Sequence, residues 1–230
     1  MHVSLWFSPA GAAVDAPCAV IVDVLRATTT LTVALAHGAA GVIPTATPAE
    51  ALALRDARPG LLACGERDGR IVPGFDLGNS PFEYSAERVG GRILAFASTN
   101  GSQAMLAARG ARRRVLAAFV NARAVVERVR GERELTIVCA GKLGGFSLED
   151  VACAGLLLAR LAEYGGVAAG PAARFALALA PGDAGEVRAL VEGAAHAREL
   201  AAMGDPYRRD VERCAELDTI DRAFELEPSR

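Results

Sequence analysis

Asp23 is the one charged residue in the apolar run Ala19-Val20-Ile21-Val22-Asp23-Val24-Leu25. A carboxylate among aliphatic side chains is costly unless something pairs with it. Two readings stand: a cap or ion-pair partner for a following helix, or a Mg²⁺ ligand or nucleophile. Arg26 and Thr28-Thr29-Thr30 follow at once. A guanidinium beside hydroxyls and free backbone N–H groups at a helix start suits a phosphate or a carboxylate. Simple N-capping would occupy one threonine and leave Arg26 unexplained.

Three further segments could carry chemistry. Cys64 to Pro81 (CGERDGRIVPGFDLGNSP) is rich in glycine and holds Glu66, Asp68, Asp76, Arg67 and Arg70. A solvated hairpin would explain much of it, but Phe75 and Leu77 alternate with polar Asp76 and Asn79, as in a loop folded back on the protein. Ser98-Thr99-Asn100-Gly101-Ser102 reads as a turn whose bare backbone can donate N–H bonds to an anion. Gly141-Lys142-Leu143-Gly144-Gly145 fits neither the P-loop nor the dinucleotide-binding pattern, which excludes a nucleotide-binding reading on that ground. Ser147-Leu148-Glu149-Asp150 is either a capping box or, with Asp23, part of a site for a hard cation. Lys142 is the only lysine among 25 Lys and Arg residues. His2, His37 and His196 are scattered outside these loops, so oxygen ligands and Mg²⁺ fit better than zinc.

Short apolar runs alternate with helical stretches along most of the chain. Strands are expected at 19–24, 41–45, 61–64, 93–97, 115–118 and 135–140, each followed by a polar loop and a helix. Thr47-Pro48-Ala49-Glu50 has the N-cap, N1 and N3 residues of a helix start. A long helix is expected from Leu148 to about Tyr164, and the tail from Pro171 reads as mainly helical, broken at Pro181-Gly182 and Gly204-Asp205-Pro206. This pattern predicts a layered α/β/α fold of strand-loop-helix units with a helical C-terminal part. Residues 1–230 read as a single domain, with a subdivision near 165 as the weaker alternative. Ligands in such sheets bind beyond the carboxyl ends of the strands, where the loops at 23–30, 65–80, 98–102 and 141–150 should meet.

With 52% hydrophobic residues, the chain can bury a sizeable core, and its net charge of −2 offers no field for nucleic acid or an anionic membrane. The five cysteines form no CxxC pair and are odd in number, which suits free thiols in a reducing cytoplasm. The start, residues 1–7, lacks a basic region and reads as an edge strand rather than a signal peptide. No uncharged apolar run reaches membrane-spanning length.

Taken in order, VIVDVLRATTT, GERDGRIVPGFDLGNSP, STNGS, FVNARAV and AGKLGGFSLEDVACAG resemble the 2-phosphosulfolactate phosphatase (ComB-like) family. The resemblance runs from about Ala19 to Leu161, and the third motif reads Asn100-Gly101-Ser102 where NGT is usual. It implies an α/β fold of the family's own, Mg²⁺, and hydrolysis of 2-phospho-3-sulfolactate to 3-sulfolactate, a step of coenzyme M biosynthesis. A related phosphorylated hydroxy acid is the alternative substrate, and a non-catalytic anion-binding protein the alternative class. A haloacid-dehalogenase-type phosphatase would want a second Asp two residues after Asp23, where this chain has Leu25. On this reading Asp23, Glu66 and Asp76 are the catalytic candidates. Arg26, Thr28, Thr29, Arg67, Asn79, Thr99, Asn100, Gly101 and Lys142 are the substrate-binding candidates, and Asp23, Glu149 and Asp150 the Mg²⁺ candidates. The partner is a small anionic substrate, and a homodimer stays open.

Overall fold

The computed structural model describes residues 1–165 and 167–226. The chain runs β1 (His2–Trp6), β2 (Cys18–Val22), α1 (Ala27–Ala36), β3 (Gly41–Pro44), α2 (Pro48–Ala57), β4 (Leu62–Arg67), β5 (Arg70–Ile71), α3 (Ala86–Val89) and β6 (Ile93–Ala97). It continues through α4 (Gly101–Ala107), β7 (Arg113–Ala117), α5 (Ala122–Val129), β8 (Glu134–Cys139), α6 (Leu148–Ala162) and β9 (Ala168–Ala169). Helices α7 (Pro171–Ala178), α8 (Ala184–Gly193), α9 (Ala195–Ala202) and α10 (Asp205–Cys214) follow, and β10 (Phe224–Glu225) ends the described chain. The subdivision expected near 165 rests on Gly165-Gly166, and Gly166 lies outside the described residues.

The strands form two sheets rather than one. The larger has the order β10-β7-β2-β8-β1-β9 and the smaller β3-β6-β4-β5. Pairing is parallel except where β10 meets β7 and β5 meets β4. Alternation along each strand divides the core. Cys18, Val20 and Val22 of β2 face α5, α6 and the C-terminal helices, while Ala19 and Ile21 face the other way. That second core also takes Cys64, Leu94 and Phe96 of the smaller sheet, with Leu31 of α1 and Met105 of α4 between. A third, small core joins the outer face of the smaller sheet, through Ala63, Ala95 and Ala97, to Ala51 of α2. The expected α/β/α layering is present and is extended by a second sheet and the helix outside it.

Position in these layers explains the local sequences. Helix α1 is buried from Ala27 through Leu35, so its sequence ATTTLTVALA carries no charge. The hydroxyls of its first three threonines turn to backbone carbonyls: Thr28 Oγ1 donates to Ala117 O at 2.7 Å, Thr29 Oγ1 to Val24 O at 2.9 Å and Thr30 Oγ1 to Asn79 O at 2.9 Å. Helix α2 starts as expected, with Thr47 Oγ1 accepting from Glu50 N at 3.2 Å. The strand β1 is not at the edge: β8 flanks it on one side and the two-residue β9 on the other. The helical tail is broken at the two expected places and once more at Ala194, between α8 and α9. Among the described residues no helix is long and apolar enough to cross a membrane.

Candidate active site

Loops after β2, β4, β6 and β8 converge, as parallel topology requires, on a cavity of about 220 Å³. The C-terminal helix α9 covers it with His196, Glu199 and Leu200, and Met203 follows at its end. Asp23 lies just past β2 and is 6% exposed. Its backbone N–H donates to Thr28 Oγ1 at 2.9 Å, and its Oδ1 accepts from Ala27 N at 3.3 Å. Its Oδ2 packs against Gly101, where an added Cβ would fall 2.5 Å away. Burial pushes the Asp23 carboxyl up to about 7, against the pull of His196 and the Ala27 N–H. Glu66 and Glu149 are near enough to push it the same way.

Arg26 also lines the cavity and is almost wholly buried. Its guanidinium donates to Asp210 Oδ2 at 2.5 Å and to Gly69 O at 2.7 Å, and stacks 5.2 Å over the Tyr207 ring. Asp210 is held in turn by the Ser80 hydroxyl at 2.5 Å. Arg26 is thus a strut between the loop after β2 and α10 as well as a cation at the cavity wall.

The glycine-rich segment splits by strand geometry. Strand β4 runs through Glu66 and Arg67, whose side chains must point to opposite faces. Glu66 points in: Oε1 accepts from Thr99 N at 2.7 Å and Oε2 from Gly69 N at 2.8 Å. Arg67 points away, donating to Glu66 O at 2.8 Å and Ala46 O at 3.4 Å. The tight turn at Asp68-Gly69, with φ of 51° and 77°, brings both residues to the cavity. Beyond it the chain does fold back, burying Phe75 and Leu77 and leaving Asp76 at the surface. Asp76 Oδ2 accepts from Ala63 N at 2.9 Å and lies 4.0 Å from Arg55, away from the cavity. Asn79 reaches the cavity, and its buried Oδ1 has no hydrogen-bond partner.

The remaining candidates sort by the same criterion. Thr99, Asn100 and Lys142 line the cavity. Asn100 Oδ1 accepts from Leu143 N at 2.9 Å and so fixes the 141–145 turn, while Lys142 Nζ pairs with Glu199. Thr28 and Thr29 spend their hydroxyls on the carbonyls of Ala117 and Val24 and do not line the cavity. Asp150 uses both carboxylate oxygens on backbone: Oδ1 accepts from Val24 N at 2.8 Å and Oδ2 from Gly141 N at 3.0 Å. It braces the β2 and β8 loops against each other. Ser147 caps α6 through Asp150 N, which is half of the expected capping box, because Asp150 turns its own carboxylate to Val24 and Gly141 instead of Ser147 N. Burial and the charges of Asp23 and Glu149 hold the Asp150 carboxyl well above the usual range. Glu149 Oε1 meets His196 Nδ1 at 3.3 Å.

Four buried acids, Asp23, Glu66, Glu149 and Asp150, therefore lie near one another, of which Asp23 and Glu66 line the cavity and Glu149 and Asp150 do not. Mutual repulsion at such a cluster is what a bound cation would relieve. Among the described residues no group of three or more His, Cys, Asp or Glu side chains is arranged to hold a metal ion. Mg²⁺ usually takes one or two carboxylates and completes its shell with water and substrate phosphate, a demand that Asp23, with Glu149 near it, could meet. His196, Asp68, Glu199 and Asp210 were not singled out from sequence. His196 is a lone histidine on a late helix with no motif around it, and only the fold brings it to Asp23.

Comparison with known proteins is consistent across the chain. Residues 8–228 match the family described as 2-phosphosulpholactate phosphatase. A Thermotoga petrophila protein named "Probable 2-phosphosulfolactate phosphatase" is 39% identical over 212 residues, covering 89% of this chain and 90% of its own. Proteins of the same name from Deinococcus radiodurans, 42% identical over 206 residues, and Gloeobacter violaceus, 40% over 226, cover 87% and 96% of this chain and 84% and 93% of their own.

Proposed function

The chain belongs to the 2-phosphosulpholactate phosphatase family, and from that premise we propose that it hydrolyses 2-phospho-3-sulfolactate to 3-sulfolactate and phosphate with the help of Mg²⁺. The observation that carries this reading is one cavity holding a buried carboxylate, Asp23, at a strand end, with Arg26, Lys142 and the unpartnered Asn79 Oδ1 around it. Phosphoryl transfer asks mainly for positioning and charge neutralisation, which such a set supplies. Asp23 and Glu149 would hold Mg²⁺, which when bound neutralises charge on the transferring phosphoryl group. The bond between phosphorus and the C2 oxygen breaks, a water oxygen takes its place on phosphorus, and the departing oxygen takes a proton. His196, whose Nδ1 meets Glu149, would give that proton from Nε2 and recover one from the attacking water, whose other proton stays on the released phosphate. Lys142 and Asn100 at the cavity wall receive the substrate's carboxylate and sulfonate. Glu66, bonded by the N–H groups of both Thr99 and Gly69, keeps the loops after β4 and β6 in register.

The test is phosphate release from 2-phospho-3-sulfolactate by the purified protein, before and after chelation. EDTA should abolish turnover and Mg²⁺ restore it. Full activity after rigorous chelation removes the metal from the proposal, and no release from this substrate at any Mg²⁺ concentration removes the activity.

A further inference from the structure

The two long cationic side chains that line the cavity, Arg26 and Lys142, each hold a carboxylate from the C-terminal helices. The two pairs differ in what it takes to open them. Arg26 and Asp210 are 4% and 1% exposed and are locked further by Gly69 O and the Ser80 hydroxyl. Separating them would strand a buried charge. Lys142 and Glu199 are 26% and 63% exposed and stand at the open side of the cavity. An exposed pair contributes little to stability and exchanges partners readily. Lys142 is thus the one cation here that an incoming anion can claim.

We propose that Glu199 sits, in the resting protein, where the substrate's second acidic group will bind Lys142, and that this exchange selects phosphomonoesters carrying a further acid. The inference rests on the phosphatase reading and adds how that site chooses among phosphomonoesters. A carboxylate or sulfonate on the substrate replaces Glu199 on Lys142 charge for charge, and Glu199, already mostly in water, rehydrates at little cost. A neutral substituent has nothing to exchange. The pair then stays closed, and Lys142 remains engaged with Glu199 and unavailable to the ester. Helix α9 need not move for this, because Ala197 and Leu200 anchor it in the core. The Glu199 carboxyl is held below its usual range by the Lys142 hydrogen bond, so it is fully charged and competes at neutral pH.

Calorimetric binding of the product 3-sulfolactate and of inorganic phosphate, to the wild type, Glu199→Gln and Lys142→Gln, reads the exchange without turnover. Glu199→Gln should tighten 3-sulfolactate by about twofold to fivefold, the range an exposed ion pair supplies, and change phosphate by much less. Lys142→Gln should weaken 3-sulfolactate and make it insensitive to a second change at Glu199. Equal gains for both ligands would mean a general field effect and overturn the proposal, as would no gain for 3-sulfolactate. In parallel, the KM of Glu199→Gln for 2-phospholactate should fall while that for isopropyl phosphate stays in place. If neither these esters nor 2-phospho-3-sulfolactate is hydrolysed by any form but the binding pattern holds, the phosphatase reading fails and the exchange site stands.

Discussion

At the scale of single residues, Asp23 is the group on which activity should turn most sharply. Asp23→Asn keeps the shape and the bond from Ala27 N but removes the charge. The variant should fold and lose at least ~10²-fold in kcat, the scale of removing one preorganised electrostatic group. Wild-type kcat at saturating Mg²⁺ would show that Asp23 is not required. Arg26 makes a different prediction because Asp210 stands behind it at 1% exposure. Arg26→Met should cost about 3–5 kcal/mol in a urea melt by leaving that carboxylate uncompensated, and adding Asp210→Asn should recover part of the loss. No recovery would place Arg26's contribution elsewhere, in its stacking on Tyr207. Asp23 was legible in the sequence because an acid in an apolar strand has few structural excuses. Arg67 was misleading for an equally simple reason: the motif puts it beside Glu66, and a strand turns neighbours to opposite faces. The threonines after Arg26 look like an anion site in sequence, yet they are the means by which a fully buried helix start satisfies its hydroxyls.

Elements hold the site in place through close approach more than through bonds. The start of α4 crosses the start of α1 at Gly101, where a Cβ would lie 2.4 Å from the Ala27 Cβ and 2.5 Å from Asp23 Oδ2. Gly101→Ala must part the two helices or displace the carboxylate. It should cost about 1–3 kcal/mol in stability, as overpacking does, and lower kcat well beyond what that loss explains. A melt and a rate measurement on the same preparation separate the two; unchanged kcat would show that Asp23 tolerates the shift. Most elements were readable because their signals are local: apolar runs for the strands, Thr47-Pro48 and Ser147 for helix starts. Their partners were not. Nothing in residues 41–45 or 93–97 says that they leave the main sheet to build a second one with 62–67, since pairing is decided by what is buried on both faces after folding. The two-residue strands β5, β9 and β10 are too short to carry a period, and each exists only because a neighbour offers an open edge.

For the whole molecule, the crowd of buried acids sets how stability responds to pH. Asp23 titrates near 7 in the folded chain, and Asp150 is pushed up as well, while both return to ordinary values near 3.8 on unfolding. Below about pH 4 both states are protonated and nothing is lost. As pH rises from there towards 7 the unfolded chain releases these protons first, so the folded state loses stability across that window. The melting temperature of metal-free protein should therefore fall between pH 5 and 7.5 by more than that of Asp23→Asn, and Mg²⁺ should raise it more at pH 7.5 than at 5. Parallel pH profiles for the two proteins would remove Asp23 from this effect. The sheet order has a consequence of another kind, for the time at which the protein becomes competent during synthesis. The smaller sheet draws β3 to β6 from residues 41–97, one contiguous stretch that can assemble early. Strands β1 and β2, made first, have no partners until β7 and β8 arrive at residues 113–139. Asp23 then waits for the brace from Asp150, and Arg26 for Asp210. During synthesis the cavity is therefore incomplete until residues past 210 have emerged, although Asp23 and Arg26 on its wall are made long before.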